Sequence, residues 1–389
     1  MTRVHRTALV LATSQFAGVC APGGVPTYSE VVLQARANFC QNPGSSFVLP
    51  CGTFFANGTP VLNDTGEYTI KLDVINGSGS QGAWFGFANT GTIGFLSEDR
   101  ASISDPWINN NGYLVVPQTL SSTNGLYYYD SNIPQSGLLT TQPFGTGSWG
   151  GPIVNNSGAV GFRATFSGSG QAFYSYSGGS PTLHIAEVAL NPNSPYSFLF
   201  SMAMNGNRQI AAHVRLGGVG QTGNNRPDEI RIFNQDKSSA LIARDRDADI
   251  NSPYSGFDSS RPAIMDDGRV AFIANLVAGG RGVFLSNGTV TKTIATTTTP
   301  GVTVIDFFPP HVNNDGLVVF RGKDGSNLSA IFVGDGTTLR RVIGEHDLVS
   351  TDLGVGRIDQ HDSSPVFGGS VTINNHGDVA FQCGLTPPD

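Results

Sequence analysis

Val312-Asn-Asn-Asp-Gly-Leu-Val-Val-Phe320 is one copy of a short pattern that returns along the chain. In this pattern an apolar residue is followed by Asn, two variable positions and Gly, and then by alternating apolar residues. The Asn side chain folds onto the backbone ahead of it, and Gly takes the positive φ that reverses the chain. The pattern therefore predicts a tight hairpin between a short strand, A, and a second strand, B, that begins at the Gly.

Seven copies of this pattern divide the chain into repeats. Their Gly-equivalent positions are separated by 46 to 61 residues, which is typical of one four-stranded propeller blade per repeat. The copies begin at Leu62, Ile108, Val154, Met204, Ile264, Val312 and Ile373. A second turn follows about 20 to 25 residues later, as in Phe332-Val-Gly-Asp-Gly-Thr337, and predicts two outer strands, C and D.

These repeats predict an all-β protein in which residues 1–389 form a single seven-bladed β-propeller. The last copy ends soon after its strand B, whereas an unassigned apolar strand precedes the first copy. We therefore expect a closing blade shared between the N- and C-termini, because such a blade leaves no exposed sheet edge. Residues 366–385 are expected to supply A and B and residues 7–13 to supply D. Residues 14–52 are predicted to form a cysteine-bearing insertion loop, and strand C has no assigned source.

The composition agrees with one large β-structure outside the cell. The chain has 50 Gly and 22 Pro among 389 residues, while charged residues make up only 13% and the net charge is −7. No cluster of basic residues with interleaved aromatics occurs, so we expect no nucleic-acid partner. No apolar run is long enough to predict a membrane span. Abundant small polar residues and scarce lysine indicate a secreted or cell-surface protein.

The copies resemble the tandem-repeat propellers of secreted bacterial proteins, including HAF-type repeats that read Asn-x-x-Gly-x-Val-x-Phe. Ile373-Asn-Asn-His-Gly-Asp-Val-Ala-Phe381 shows the full pattern, and the resemblance extends over about residues 53–384. It implies an extracellular propeller and supplies no catalytic residues. The chain departs from the pattern at Arg208, where Gly is expected, and in the insertion before residue 53.

The two faces of the predicted disc differ in the length of their connections. The A–B and C–D turns share one face, which we call the tight-turn face. The B–C and D–A connections share the other, which we call the long-link face. The long connections are predicted to be residues 14–51, 216–228, 245–260 and 345–365. Since long loops gathered on one face of a repeat fold commonly form the binding surface, the long-link face is the predicted binding face.

The four cysteines, Cys20, Cys40, Cys51 and Cys383, form no metal-binding spacing, and their even number favours two disulfides. Cys20 follows the predicted strand D of the closing blade and Cys383 ends its strand B, so a Cys20–Cys383 bridge would join the termini. Cys40–Cys51 would then close a short loop inside the insertion. The alternative is a set of free, buried thiols.

An acidic loop offers the most ligand-like spacing. Asp245, Asp247, Asp249 and Asn251 place oxygen ligands at alternate positions, as calcium loops do, so calcium is the one cofactor considered. The Gly and the distal Glu of an EF-hand are absent. The alternative is a solvated acidic loop beside Arg244 and Arg246.

A second polar loop contains acid–base residues, namely Glu345, His346, Asp347, Asp359, His361 and Asp362. A carboxylate pair could serve glycoside hydrolysis and a His–Asp pair could serve acid–base chemistry. No nucleophile or metal-ligand set accompanies them, so the preferred interpretation is a solvated loop without catalytic residues.

The favoured function is a non-catalytic extracellular binding or adhesion propeller whose long-link face holds a glycan or protein. One alternative is a structural subunit that assembles with copies of itself in a filament, surface layer or matrix. A second alternative is a carbohydrate-active hydrolase or lyase. The repeat alone does not choose among them, because propellers serve all three purposes.

Overall fold

The computed structural model describes residues 6–14, 24–37, 49–74, 80–87, 90–119, 124–143, 145–168, 170–360 and 365–387. The regular structure in these ranges is β, and it forms seven sheets arranged as a seven-bladed propeller. The predicted all-β fold is confirmed. Within the same ranges, no helix has the length and apolar character needed to cross a membrane.

The strands are numbered along the chain. The first two are β1 (Arg6–Ser14) and β2 (Tyr28–Arg36). Blade 1 contains β3 (Thr53–Phe55), β4 (Val61–Leu62), β5 (Tyr68–Val74), β6 (Gln81–Phe87) and β7 (Thr90–Leu96). Blade 2 contains β8 (Ser102–Ile103), β9 (Trp107–Ile108), β10 (Tyr113–Thr119), β11 (Gly125–Asp130) and β12 (Gln135–Thr140). Blade 3 contains β13 (Thr146–Val154), β14 (Val160–Phe166), β15 (Gly170–Tyr176) and β16 (Thr182–Ala186).

The second half of the chain repeats this order. Blade 4 contains β17 (Tyr196–Met204), β18 (Ile210–Leu216), β19 (Asp228–Phe233) and β20 (Ser239–Arg244). Blade 5 contains β21 (Tyr254–Phe257), β22 (Ala263–Ile264), β23 (Val270–Leu276), β24 (Arg281–Ser286) and β25 (Thr291–Thr296). Blade 6 contains β26 (Val302–Ile305), β27 (His311–Val312), β28 (Val318–Asp324), β29 (Ser329–Gly334) and β30 (Leu339–Gly344). They are followed by β31 (Leu348–Thr351), β32 (Gly354–Ile358), β33 (Phe367–Ile373) and β34 (Val379–Thr386).

The closing blade takes two strands from each end of the chain. Strand A is β33, strand B is β34, strand C is β1 and strand D is β2. β1 runs antiparallel to β34, from Arg6 opposite Leu385 to Ala12 opposite Val379. The shared closing blade is therefore confirmed, but the assignment of residues 7–13 to strand D is wrong because they form strand C.

The predicted insertion at residues 14–52 is likewise not one loop, because β2 lies inside it and forms strand D. The apolar alternation of β1 identified a strand of this blade but carried no information about its position in the sheet. As a result, β1 ends and β2 begins on the tight-turn face, and β2 ends on the long-link face.

The connection between blades 6 and 7 also contains strands. β31 and β32 form a hairpin, and Arg357 and Ile358 of β32 pair with the end of β34. Residues 345–365, predicted as a loop, thus extend the inner edge of the closing blade over part of their length.

The Phe that ends four of the copies lies in the core. Phe162, Phe272, Phe320 and Phe381 are at most 1% exposed. Burying a Phe side chain stabilises a fold by about 1.5–3 kcal/mol, which explains why the pattern keeps an aromatic at this position. Three of the four pack on an aromatic residue of strand C, in the pairs Phe162–Tyr174, Phe272–Phe284 and Phe320–Phe332.

The copy without Gly keeps the same turn. Arg208 has a φ of 61°, which lies in the left-handed region. Gly316, at the equivalent position of blade 6, has a φ of 85° in the same region. The backbone N–H of Arg208 donates to the Asn205 carbonyl at 3.1 Å, as the Gly N–H does in the other copies. The hairpin is therefore fixed by the Asn as well as by the Gly.

Cys383 corrects one of the disulfide predictions. Its thiol is free and fully buried, so the predicted Cys20–Cys383 bridge is not formed. Strand B of the closing blade is covered by strand C, which places Cys383 in the core rather than beside the C–D connection. Cys20 and Cys40 lie outside the described residues, and the Cys40–Cys51 bridge stays a prediction.

Cys383 is expected to resist alkylation in the native protein. Burial raises the pKa of its thiol, so almost no thiolate is present to react at neutral pH. Peptide mass spectrometry after iodoacetamide treatment should find the Cys383 peptide unmodified in native protein and alkylated after unfolding in urea. A Cys383 peptide linked to Cys20 under non-reducing conditions would contradict this structure.

Candidate functional site

The Asn of the repeat links neighbouring blades around the central channel. In six of the seven copies its Nδ2 donates to a backbone carbonyl in the turn of the next blade, at 2.8–3.1 Å. The donors and acceptors are Asn63 to Asn109, Asn109 to Asn155, Asn155 to Gly206, Asn205 to Met265, Asn313 to Asn374, and Asn374 to Asn63. We call this the asparagine ring. In blade 5, Met265 stands in place of the Asn.

The same Asn also builds its own turn. In blade 3, Asn155 Oδ1 accepts from the backbone N–H groups of Ser157 and Ala159 at 3.1 and 2.9 Å. The sequence predicted this local role and missed the donation to the next blade. A single motif therefore specifies both the hairpin and the closed ring.

A second ring lies one residue further along each turn. In six copies, a side-chain oxygen at this position accepts the backbone N–H of the corresponding residue in the preceding blade. The acceptors are Asp64, Asn110, Asn156, Asp266, Asn314 and Asn375. Together the two rings line a bowl of about 280 Å³ at the channel mouth on the tight-turn face. Because these polar groups hydrogen-bond to one another, the two rings serve mainly to join neighbouring blades.

On the other half of the channel, each inner strand is interrupted. The chain leaves the ladder between strands A and B for two to five residues. We call these segments the inner-strand breaks. They are residues 56–60, 104–106, 151–152, 200–201, 258–262, 306–310 and 369–371.

Proline marks five of the breaks. Pro60, Pro106, Pro152, Pro262 and Pro310 each stand three residues before the Asn position of their copy. Proline has no N–H to give to a ladder, so it favours a break at this point. This spacing was the sequence signal that would have located the breaks.

Three side chains from different blades meet in the channel. The guanidinium carbon of Arg261 lies 4.5 Å from the centre of the Trp107 ring, which is a cation–π contact. On Trp107, the ring of His311 packs with a centroid distance of 5.7 Å. Trp107 and His311 also line the bowl, whereas Arg261 belongs to an inner-strand break. The cluster therefore separates the two halves of the channel, with Arg261 on the long-link side.

His311 is electrically neutral in this cluster. Burial and the positive charge of Arg261 lower the pKa of His311 to about 3. Its Nδ1 lies 3.3 Å from the backbone N–H of Ile373 and accepts from it. A neutral imidazole that accepts at Nδ1 carries its proton on Nε2, so His311 presents one donor in the channel.

The rim of the long-link face carries an exposed aromatic residue. Phe307, in the inner-strand break of blade 6, is 76% exposed. The guanidinium carbon of Arg281 lies 3.7 Å from the centre of its ring. Arg281 is itself held by the Ile305 carbonyl and by the carboxylate of Asp258. The ring is thus solvent-facing on one side and supported on the other.

Long side chains of strand B connect several blades to the next inner-strand break. Arg163 donates to the carbonyl of Leu199 at 3.2 Å, and Arg321 donates to the carbonyl of Gly369. His213 Nδ1 lies 3.0 Å from the carbonyl of Asp258. These bonds fix the breaks and so position the residues around the channel.

The predicted calcium loop has a counterpart that explains its shape. Residues 187–195 and 245–253 connect equivalent strands, and each is followed by Tyr after an Asn-Ser-Pro sequence. Both contain the same backbone bonds, such as Asn191 to Glu187 in one and Asp249 to Asp245 in the other, each 2.9 Å. The first loop has this shape with Ala189 and Asn191 where the second has Asp247 and Asp249, so the alternating acidic spacing is not needed to form it.

Two of the four predicted calcium ligands accept hydrogen bonds within their own loop. Asp245 is buried and accepts the N–H of Ala248, while Asp249 accepts the N–H of Asn251. The carboxylates of Asp245, Asp247 and Asp249 are not among the convergent metal-ligand groups of the described residues. Calcium binding here stays a prediction.

The structure brings together three of the six residues named in the predicted acid–base loop. Ligand atoms of Glu345, His346 and Asp359 lie within 4.8 Å of one another, a distance at which they could hold a metal ion. Asp359 is also paired with Arg357 at 2.7 Å, and Glu345 accepts the N–H of Ser329. The other three candidates do not join this group. Asp347 pairs with Arg341, and His361 and Asp362 lie outside the described residues.

Arg261, His311 and Phe307 were not singled out from the sequence. Each lies in or beside an inner-strand break, at a position where other copies carry small or apolar residues such as Ser201 and Gly151. Aligning the copies on the Pro rather than only on the Asn and Gly would have exposed these differences.

Comparison with known proteins agrees with the fold. No curated protein matches the chain. TolB from Acinetobacter baumannii is 12% identical and has a TM-score of 0.43, over 87% of this chain and 63% of TolB. This chain thus spans less than two thirds of TolB. The acylaminoacyl peptidase of Pyrococcus horikoshii is 11% identical with a TM-score of 0.52, over 77% of this chain and 48% of the peptidase. At this identity the likeness shows the fold alone.

A model of one protein family matches this chain. The model is described as a family of unknown function (DUF7453), and it matches residues 100–300. The matched region extends from blade 2 to blade 5 and includes Trp107 and Arg261 of the channel cluster. It covers more than half of the 389 residues. The chain belongs to the DUF7453 family.

Proposed function

We propose that this chain is a non-catalytic binding propeller that holds an extracellular glycan or protein against its long-link face. The observation that carries the proposal is the supported, exposed ring of Phe307 at the rim of that face. The proposal also places the chain outside the cell or on its surface.

Phe307 has the properties of an anchor. Its ring is 76% exposed, and Arg281 fixes its orientation from the protein side. An aromatic side chain that is already held in one orientation loses little conformational freedom when a partner binds. Such residues contribute a large share of binding energy at interfaces, because they bury a large apolar area.

Further apolar side chains on the same face can enlarge the contact. Val219 in the B–C connection of blade 4 is 69% exposed, and Ile250 in the following link is 70% exposed. Val277 in the B–C turn of blade 5 is 40% exposed. Three exposed apolar residues in the connections of neighbouring blades support a partner that covers blades 4 to 6.

The carboxylates at the rim are engaged by arginines of the protein itself. Asp258 is paired with Arg281, and Asp306 lies 3.5 Å from Arg321. The carboxylates nearest to Phe307 therefore serve to position the arginines.

Replacing Phe307 by Ala is expected to weaken partner binding by at least about tenfold, the typical loss when an anchor residue is removed. The expected loss follows from removal of the exposed ring without disturbance of the core. Binding of purified protein to a glycan array and to a panel of extracellular proteins would measure it.

Phe87→Ala is the matched control. Phe87 is 48% exposed but lies at the end of strand C on the tight-turn face, so its replacement should leave binding unchanged. Equal losses in both variants, or wild-type binding by Phe307→Ala, would contradict the assignment to the long-link face. Protease accessibility on intact source cells would test the proposed location.

A further inference from the structure

Arg261 differs from the other buried arginines in having no hydrogen-bond partner. Among the residues that the structure describes, none accepts a hydrogen bond from its guanidinium or forms an ion pair with it. By contrast, Arg215 is held by both oxygens of Asp228 at 2.7 and 2.8 Å. Arg163 and Arg321 each donate to a backbone carbonyl. The stack on Trp107 is the direct contact of the Arg261 guanidinium.

An enclosed guanidinium without acceptors is energetically unfavourable. Its five N–H donors have lost much of the water that would solvate them, and removal from water costs a charged group more than a neutral one. Burial lowers the pKa of Arg261 to about 10, and the group still carries its charge at neutral pH. Arg261 nevertheless retains part of its accessible surface.

The surroundings define what could complete the site. His311 offers its Nε2–H beside Arg261, because its Nδ1 already accepts from Ile373. Asp105 attracts Arg261 electrostatically, yet its Oδ2 accepts the backbone N–H of Thr59 at 3.1 Å. The channel therefore presents the hydrogen-bond donors of Arg261 and His311, with the negative charge of Asp105 close by.

We infer that the channel binds a carboxylate group at the level of this cluster, held by the guanidinium of Arg261 and the Nε2–H of His311. A planar carboxylate matches the fork of an arginine side chain and accepts two of its hydrogen bonds. The nearby Asp105 carboxylate disfavours a doubly charged phosphate more than a singly charged group. The carboxylate can belong to a free small acid or to a uronic acid sugar.

The site is independent of the proposed surface function. Phe307 lies at the rim and is not part of the channel cluster, so Phe307→Ala should leave carboxylate binding unchanged. Failure of one proposal is thereby distinguishable from failure of the other.

Calorimetric titration of the full chain with acetate, galacturonate and phosphate tests the inference. Acetate and galacturonate are expected to bind, and phosphate is expected to bind more weakly. Galacturonate that binds at least about tenfold more tightly than acetate would identify a sugar acid as the source, while equal affinities would identify a free acid. Absence of binding by both carboxylates, or tighter binding of phosphate, would overturn the inference.

Arg261→Gln should weaken acetate and galacturonate binding by at least about tenfold, whereas Arg269→Gln should not. Arg269 is in the same blade, but its side chain is 34% exposed and paired with Asp267 on the tight-turn face. Unchanged carboxylate binding by Arg261→Gln would overturn the inference. If this variant fails to fold, Arg261→Lys keeps the charge and loses the fork, so it should fold and bind carboxylates more weakly.

Thermal unfolding without ligand separates a binding role from a structural one. If Arg261 serves a ligand, Arg261→Gln should unfold at the wild-type temperature or above, because an uncompensated buried charge has been removed. Added galacturonate should then raise the unfolding temperature of the wild type and not that of the variant. A large loss of stability in the ligand-free variant would instead assign Arg261 a structural role.

Discussion

A protein that lacks residues 1–37 is expected to lose its cooperative fold. The deletion removes β1 and β2, so the closing blade keeps only strands A and B, and β34 becomes an open edge. Val379, Phe381 and Cys383, which are now fully buried, would lose their cover. An open apolar edge also promotes aggregation. Thermal unfolding by circular dichroism should show no cooperative transition, and size-exclusion chromatography should show little monomer.

A circular permutant provides the matched control. Arg6 lies opposite Leu385, so the start of β1 and the end of β34 are adjacent, as strands B and C are in every other blade. Moving residues 6–37 to follow residue 387 through a short turn should therefore restore a cooperative transition. A truncated protein that unfolds at the wild-type temperature would show that β1 and β2 are dispensable. A permutant that fails to fold would contradict the strand order of the closing blade.

Most of the fold was predictable from the sequence, whereas the cluster of residues in the channel was not. The Asn and Gly positions of the repeat predicted the blades, because hairpin geometry depends on residues close together in sequence. The order of β1 and β2 was not predictable in the same way, since it depends on which edge of β34 they cover. Cys383 shows the same limit, because its burial follows from that order and not from its distance to Cys20.

Arg261 shows why the candidate site was harder to predict. Its neighbours Trp107 and His311 come from blades 2 and 6, so the cluster exists only when the ring has closed. In the sequence, Arg261 precedes a Pro in a polar segment and resembles any exposed arginine. The acidic residues at 245–251 were predicted as a site because their spacing can be read from a short stretch of sequence, although that spacing does not determine the shape of the loop.

Replacing Asn374 by Ala is expected to lower the free energy of unfolding by about 3 kcal/mol, at about 1 kcal/mol for each of the three hydrogen bonds that its side chain makes to backbone groups. Asn374 Oδ1 accepts the N–H groups of His376 and Asp378 at 3.1 and 2.9 Å. Its Nδ2 donates to the carbonyl of Asn63 at 3.1 Å, which joins the closing blade to blade 1. Urea denaturation of the variant and the wild type would measure the difference.

Asn375→Ala is the control within the same turn. Asn375 is exposed; its Oδ1 accepts the N–H of Asn314 at 2.9 Å, and its Nδ2 donates to Asp64 Oδ2 at 2.9 Å. Its replacement should lower the free energy of unfolding by less than about 1 kcal/mol, because water can replace both exposed hydrogen bonds. The contrast isolates the buried position in the ring. If the two variants were equally stable, the asparagine ring would not be what holds blade 7 to blade 1, and the other contacts between the blades, such as the Thr372 hydroxyl donating to the Pro60 carbonyl, would have to do so.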